Sequence, residues 1–296
     1  MIPTGAVPGR PLAVLAGGVG VPRDEWAPLL EVLGNAGMPH LVVERPGTSW
    51  IGPWGRGEGP TLDSEAGRIA DACRRARSDG AGPVILVAHS AAGFFAEAAL
   101  LAEPGLADGV VLLDISATSA ALPAFPGLVA LSRLLSGATV PLVRRFAGGA
   151  AAGRWRTLLL ENALFRYWAR DLRRLRRPRR RGEGRHLGPT RHLGPDAAAA
   201  SPDDARGSSP VTGRALVLTA YPAVPAAVAA LPFGAALWDR ACRLGWSGHA
   251  DRIARRWSEL AEDCAEVELR DCGHMVMGER PAAVAAFIRG LARAAE

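Results

Sequence analysis

The chain has 296 residues, of which 49% are hydrophobic, and this excludes general disorder because it supplies enough apolar surface for a packed core. No uncharged apolar run approaches the ~20 residues that span a bilayer, so we expect a soluble protein without a membrane span. All 35 basic residues are arginines, and eleven of them lie between residues 166 and 191 against two acids. That segment carries +9 and the rest of the chain −3. The high net charge is therefore local.

The first third of the chain alternates short apolar runs with helical patterns. A buried strand is predicted at Leu12–Ala16, and the glycine-rich turn 17–20 follows it. Asp24 is expected to cap a helix, and a second strand is expected at 41–44 before a loop with Pro and Gly. Residues 61–79 have helical periodicity. Strands separated by helices of this length must run parallel, so the pattern predicts an α/β fold.

The next apolar run, Val84–His89, passes through a turn of small residues at Ser90 into another helical pattern. A sharp strand-to-helix turn strains its central residue and leaves room only for small neighbours, here Ala88 and Ala92. The strain holds the hydroxyl clear of the sheet, and the helix that begins near Ala91 offers free N–H groups to a developing anion. Ser90 is therefore the candidate nucleophile.

The next strand is predicted at 109–114, so Asp114 and Ser90 share one sheet edge. Residues 117–177 carry apolar side chains at helical spacing and are interpreted as a helical cap. Residues 178–213 are interpreted as a mobile insertion, because their arginine run, tandem Arg-His-Leu-Gly-Pro copies and Ala/Ser/Pro/Asp tract cannot supply a core. A charged arm that binds nucleic acid or acidic lipid is the less favoured alternative.

The last part of the chain returns to strands and helices. A strand is expected at 214–219, a helix at 250–264 and a final strand at 265–270. Gly273 and His274 follow that strand, and a closing helix begins at Pro281. The core is thus expected to comprise 1–116 and 214–296.

The four cysteines, Cys73, Cys242, Cys264 and Cys272, are assigned to helices or a loop and have no C-x-x-C spacing. They are typical of free thiols in a reducing cytoplasm, and the apolar stretch 11–21 is assigned to strand and turn rather than to a cleaved leader. No metal-ligand pattern is present, and no cofactor is expected.

Three stretches resemble motifs of the α/β-hydrolase superfamily. The residues around Ser90 resemble the G-x-S-x-G nucleophile elbow, with Ala88 and Ala92 at the outer glycines. The segments before it resemble the H-G-x and D-R-P-G-x-G stretches, with Ala16 in place of His and Glu44 in place of Asp. The resemblance covers about 12–116 and 214–293. It implies a doubly wound, mostly parallel sheet with a helical cap insertion. One departure from the family pattern is that only about ten residues precede the first strand, so the N-terminal hairpin that usually widens this sheet is expected to be short or absent, or to lie upstream of residue 1.

The resemblance also implies a catalytic base after the last strand, where His274 stands. The other histidines are weaker candidates. His89 is expected to point sideways from the elbow and His40 begins a strand, while His186 and His192 lie in the insertion and His249 starts a helix. The oxyanion hole should comprise the Ala91 N–H and one N–H from the first glycine turn, most simply that of Gly18, with Val19 next.

The third member of the predicted site is a carboxylate that orients the catalytic histidine. Its commoner position after the penultimate strand has no carboxylate between 221 and 237. Asp114 is the candidate, since some family members supply the acid from the strand after the elbow. Its structural alternative is a carboxylate that only binds loop backbone, and Asp239, Asp251 and Asp271 are weaker candidates.

These residues predict a serine hydrolase that works through an acyl-enzyme, and the resemblance implies that it cleaves an ester or related acyl bond of a small apolar molecule. A carbon–carbon lyase on the same fold is one alternative. A binding protein without turnover is the other, favoured by the alanines at the elbow, by Ala16 and by the vacant acid position. No nucleic-acid partner is expected.

Overall fold

The computed structural model describes residues 7–46, 60–115, 128–176, 209–221, 233, 236 and 248–296. These residues form one six-stranded sheet flanked by helices. The strands are β1 Leu12–Ala16, β2 His40–Val43, β3 Val84–His89, β4 Gly109–Leu113, β5 Val211–Tyr221 and β6 Ala261–Arg270. The helices are α1 Ala27–Asn35, α2 Leu62–Ser78, α3 Ala92–Ala102, α4 Leu128–Leu175, α5 Gly248–Trp257, α6 Val276–Glu279 and α7 Pro281–Ala294.

The strand order is β2-β1-β3-β4-β5-β6, and every pairing among these strands is parallel. This confirms the predicted α/β class with a doubly wound sheet. The central strands β1, β3 and β4 are buried at every position, as expected for parallel strands covered on both faces. One face packs against α2, α3 and α5, and the other against α1 and α7. Ser90 and Asp114 follow the carboxyl ends of the adjacent strands β3 and β4.

The helix predicted at 61–79 is confirmed as α2. Thr61 caps its N-terminus, because the Thr61 hydroxyl accepts from the Ser64 N–H at 3.0 Å and the Ser64 hydroxyl accepts from the Thr61 N–H at 3.0 Å. Such a reciprocal cap stabilises a helix by about 1 kcal/mol.

The predicted boundaries of two helices are wrong. Asp24 caps no helix: residues Arg23–Trp26 form a 3₁₀ turn, and α1 begins at Ala27, where a proline in the first turn favours the start. The helix predicted at 250–264 ends at Trp257, and β6 already begins at Ala261, so Cys264 lies in a strand. The reason is tertiary, since the start of β6 pairs with β5 from Val211 onward.

The range predicted as a cap contains α4, which is interrupted at Gly148, where φ is +85°. Its C-terminal part packs on the body of the protein. Trp168 is buried, its indole N–H donates to the Pro60 carbonyl at 2.8 Å, and its ring meets Phe95 edge-on at 4.9 Å between centroids. A cap over the site stays a prediction, and residues 116–127 lie outside the described residues. Of the predicted mobile insertion 178–213, residues 178–208 also lie outside them. The predicted end of the insertion is wrong, because residues 211–213 belong to β5 and Val211 pairs with Ala261 of β6. None of the described helices is long and apolar enough to cross a membrane.

Candidate active site

Ser90 lies in the turn between β3 and α3 with a φ of +55°, in the left-handed region that non-glycine residues avoid. Its N–H donates to the Leu113 carbonyl at 3.0 Å, which ties the turn to β4. The turn is tightly packed: a Cβ on Gly93 would lie 2.9 Å from the Ile115 Cβ, and Ala91 and Ala92 are fully buried. These contacts explain why the elbow holds only small residues. Strain of this kind, about 1–3 kcal/mol, is typical of functional sites.

The structure brings Ser90, His274 and Asp114 together. His274 Nε2 lies 3.0 Å from Ser90 Oγ, and His274 Nδ1 lies 2.6 Å from Asp114 Oδ2. The other carboxylate oxygen, Asp114 Oδ1, accepts from the Ala220 N–H at 3.2 Å, which fixes the carboxylate against β5. A carboxylate beside Nδ1 holds the proton on that nitrogen, so Nε2 is left as the acceptor that faces the hydroxyl.

Most of the alternative candidates of the sequence analysis lie elsewhere. Asp251 is exposed on α5, and Asp271 is exposed directly after Arg270, the end of β6. His40 Nδ1 lies 3.2 Å from the Met38 carbonyl, at the start of β2. Asp239 lies outside the described residues.

His89 is a contact of the site that the sequence analysis missed. It is completely buried, its Nε2–H donates to the His274 carbonyl at 2.9 Å, and the two rings are 4.6 Å apart between centroids. Burial, together with the neighbouring His274, lowers the pKa of His89 to about 4, so His89 is neutral at neutral pH. The available signal was a histidine ending an otherwise apolar buried strand, because a buried polar side chain needs a partner.

The first glycine turn reaches Ser90. A Cβ on Gly18 would lie 2.6 Å from the Ser90 Cβ and 3.0 Å from its Oγ, so only glycine allows this approach. Within the described part of the chain, no residue accepts a hydrogen bond from the N–H of Val19 or Ala91. The turn is held from behind by Arg45, a second missed residue, whose Nη1 donates to the Gly18 carbonyl at 2.7 Å.

Metal binding has no evident site among the described residues, where no group of three or more His, Cys, Asp or Glu side chains is arranged to hold an ion. The expectation that no metal or cofactor takes part stays a prediction.

Comparison with solved structures shows the same fold at low sequence identity. Cfl2 from Burkholderia cenocepacia is 15% identical with a TM-score of 0.54, and the match covers 95% of this chain and 87% of that one. A "probable hydrolytic enzyme" from Pseudomonas aeruginosa is 16% identical with a TM-score of 0.55, covering 96% and 85%. A monoacylglycerol lipase from Paleococcus ferrophilus is 14% identical with a TM-score of 0.50, covering 97% and 96%.

A search of curated proteins found no significant match. The sequence does match the sequence model of the alpha/beta hydrolase family over residues 13–287. This range includes the elbow, the glycine turn and the loop that carries His274. The chain therefore belongs to the alpha/beta hydrolase family.

Proposed function

We propose that this hydrolase cleaves an ester or related acyl bond of a small, apolar substrate, with Ser90 as nucleophile, His274 as general base and then acid, and Asp114 as the acid that orients His274. The observation that carries the proposal is the position of His274, one ring nitrogen 3.0 Å from the Ser90 hydroxyl and the other 2.6 Å from the Asp114 carboxylate. A nucleophile, a base and a group that orients the base are the parts that acyl transfer needs.

In the first half of the proposed reaction, Ser90 Oγ attacks the carbonyl carbon of the substrate while His274 Nε2 takes the hydroxyl proton. The carbonyl oxygen becomes an oxyanion. It accepts hydrogen bonds from the Ala91 N–H and from one N–H of the Gly18–Val19 turn, and two such donors stabilise the transition state by several kcal/mol. The Asp114 carboxylate stabilises the imidazolium. The bond to the leaving alkoxide then breaks as that oxygen receives the proton from Nε2.

In the second half, water attacks the acyl carbon of the Ser90 ester and gives its proton to His274 Nε2. The second oxyanion collapses, the bond between the acyl carbon and Oγ breaks, and the proton returns to Oγ. The products are an acid and an alcohol, and Ser90 and His274 regain their starting states.

The position of Asp114 weakens the case for a binding protein without turnover. One argument for that alternative was the absence of a carboxylate after the penultimate strand. Asp114, which follows β4, offers a carboxylate within hydrogen-bond distance of His274. A cytoplasmic location is part of the proposal, supported by the unpaired thiols of Cys73, Cys264 and Cys272.

A series of p-nitrophenyl esters, from acetate to laurate, tests the proposal. We expect the wild-type protein to release p-nitrophenol, and Ser90→Ala to lose the activity while keeping its melting temperature. Ser258→Ala is the matched control, because Ser258 is exposed in a turn after α5 and its hydroxyl donates to the Arg255 carbonyl at 2.8 Å. Ser90→Ala with wild-type turnover would contradict the proposal. A wild-type protein that is stabilised by these esters without cleaving them would support the binding-protein alternative.

A further inference from the structure

Arg45 is a charged side chain in the interior of the protein. It follows β2, and only 3% of it is exposed. Its partner Glu65, in the first turn of α2, is 1% exposed and accepts from Arg45 Nε through Oε2. The guanidinium also lies 5.1 Å from the centre of the Phe95 ring on α3. Burial of charges is costly unless geometry and hydrogen bonds compensate for the lost water, so the retention of this pair calls for a reason.

The other contacts of Arg45 point to that reason. Arg45 Nη1 donates to the Gly18 carbonyl at 2.7 Å and lies 3.5 Å from the Gly17 carbonyl. Glu65 and Phe95 hold the guanidinium from α2 and α3, so its position relative to the elbow is fixed by elements that flank Ser90. Arginine suits this place because its rigid planar fork serves several acceptors at once and keeps its charge.

The hydrogen bond from Arg45 to the Gly18 carbonyl determines the orientation of the peptide group between Gly18 and Val19. In a trans peptide, the C=O of Gly18 and the N–H of Val19 point in opposite directions. With the carbonyl held towards Arg45, the Val19 N–H faces away from the guanidinium. The α-carbon of Gly18 is meanwhile packed on Ser90, since a Cβ there would lie 2.6 Å from the Ser90 Cβ.

We propose that Arg45, held by Glu65, is a positioning residue that fixes the orientation of the Gly18–Val19 peptide and thereby the oxyanion donor of the glycine turn. The inference rests on the proposed function for its kinetic consequence. In this role Arg45 acts through the glycine turn and not on the substrate or the reacting atoms. Its loss leaves the turn free to rotate its carbonyl, and a donor that is misplaced by about 1 Å costs up to about 10²-fold in rate.

The test replaces both members of the pair, because removal of one would leave a buried unpaired charge and unfold the protein. In Arg45→Met/Glu65→Leu, apolar side chains replace the pair, a change that is often neutral for stability. We expect kcat for p-nitrophenyl acetate to fall about 10–10²-fold with little change in KM. Affinity for a boronic acid, which mimics the tetrahedral oxyanion, should fall in parallel with kcat.

A second variant distinguishes positioning from charge compensation. Arg45→Lys keeps a cation beside Glu65 but lacks the fork that reaches the Gly18 carbonyl at the same time. We expect it to keep most of the melting temperature while its kcat falls like that of the double variant. A lysine variant with the wild-type kcat and boronate affinity would show that charge alone is required, and would overturn the inference.

The matched control is another buried ion-pair cluster. Glu97 on α3 is 3% exposed and binds Arg176 and Arg256. Glu97→Gln should lower the melting temperature while kcat and KM stay at their wild-type values. This result would show that loss of a buried ion pair does not by itself lower kcat.

Amide hydrogen exchange provides a readout that does not depend on activity. In the double variant, exchange in the peptide that spans Gly17–Val21 should accelerate, while that of β3 and β4 stays slow. Wild-type kcat and unchanged exchange in the double variant would overturn the inference. A wild-type protein that cleaves no ester would contradict the proposed function, and the exchange result would then decide the positioning role separately.

Discussion

Replacement of Asp114 by Asn removes the charge of the proposed triad acid and leaves its surroundings nearly unchanged. Asp114 has a φ of +44°, a backbone conformation that asparagine tolerates well. The amide oxygen of Asn can still accept from the Ala220 N–H in place of Oδ1. The amide NH₂ then faces His274 Nδ1, where the carboxylate oxygen lay at 2.6 Å. We therefore expect Asp114→Asn to fold normally.

The expected catalytic loss is large because a donor at this position reverses the tautomer of His274. Nδ1 becomes the acceptor, the proton moves to Nε2, and the nitrogen 3.0 Å from Ser90 Oγ can no longer take the hydroxyl proton. Loss of the tautomer and of the charge that stabilises the imidazolium reduces kcat by about 10⁴-fold, or about 5 kcal/mol of transition-state stabilisation.

The assay is kcat for a p-nitrophenyl ester at neutral pH, with KM and the melting temperature measured in parallel. Asp271→Asn is the matched control, because Asp271 also has a positive φ, +51°, and lies three residues from His274 but is exposed. It should retain wild-type kcat. Turnover by Asp114→Asn within a few-fold of wild type would show that Asp114 only binds loop backbone.

Three further predictions concern groups around the site and in the core. Gly18→Ala should lower kcat by about 10²-fold with the fold retained, because the new Cβ displaces the turn from Ser90. The pKa of His89 is about 4 in the folded protein and about 6.5 in the unfolded chain, so between these pH values only the unfolded chain binds the proton. The free energy of unfolding therefore decreases as the pH is lowered from about 6.5 to about 4. Urea unfolding at several pH values should show a loss of up to about 3 kcal/mol that His89→Asn reduces. Burial raises the pKa of the Cys73 thiol to about 12, so iodoacetamide should modify Cys73 only after unfolding.

The sheet and the proximity of Ser90, Asp114 and His274 could be predicted because their signals are local and strong. Buried parallel strands such as β3 are continuous apolar runs, and all their carboxyl ends meet at one edge. That rule alone was enough to put Ser90 and Asp114 together, and the resemblance of the Gly-His segment after the last strand supplied His274.

The rest depended on contacts between distant parts of the chain. The helix predicted at 250–264 was too long, because pairing of β6 with β5 overrides local helical spacing. His89 binds a carbonyl 185 residues away, and Arg45 and Glu65 are 20 residues apart on different elements. Periodicity carries no information about such pairs. A buried-strand histidine and a loop arginine indicate only that a partner exists.

The most direct test of the account is the reaction of the protein with a fluorophosphonate, which forms a covalent bond only with an activated serine. We predict one adduct, located on Ser90 by mass spectrometry, and its absence from Ser90→Ala at an unchanged melting temperature. An adduct on another serine, or a folded wild-type protein that forms none, would contradict the assignment of Ser90 as the nucleophile.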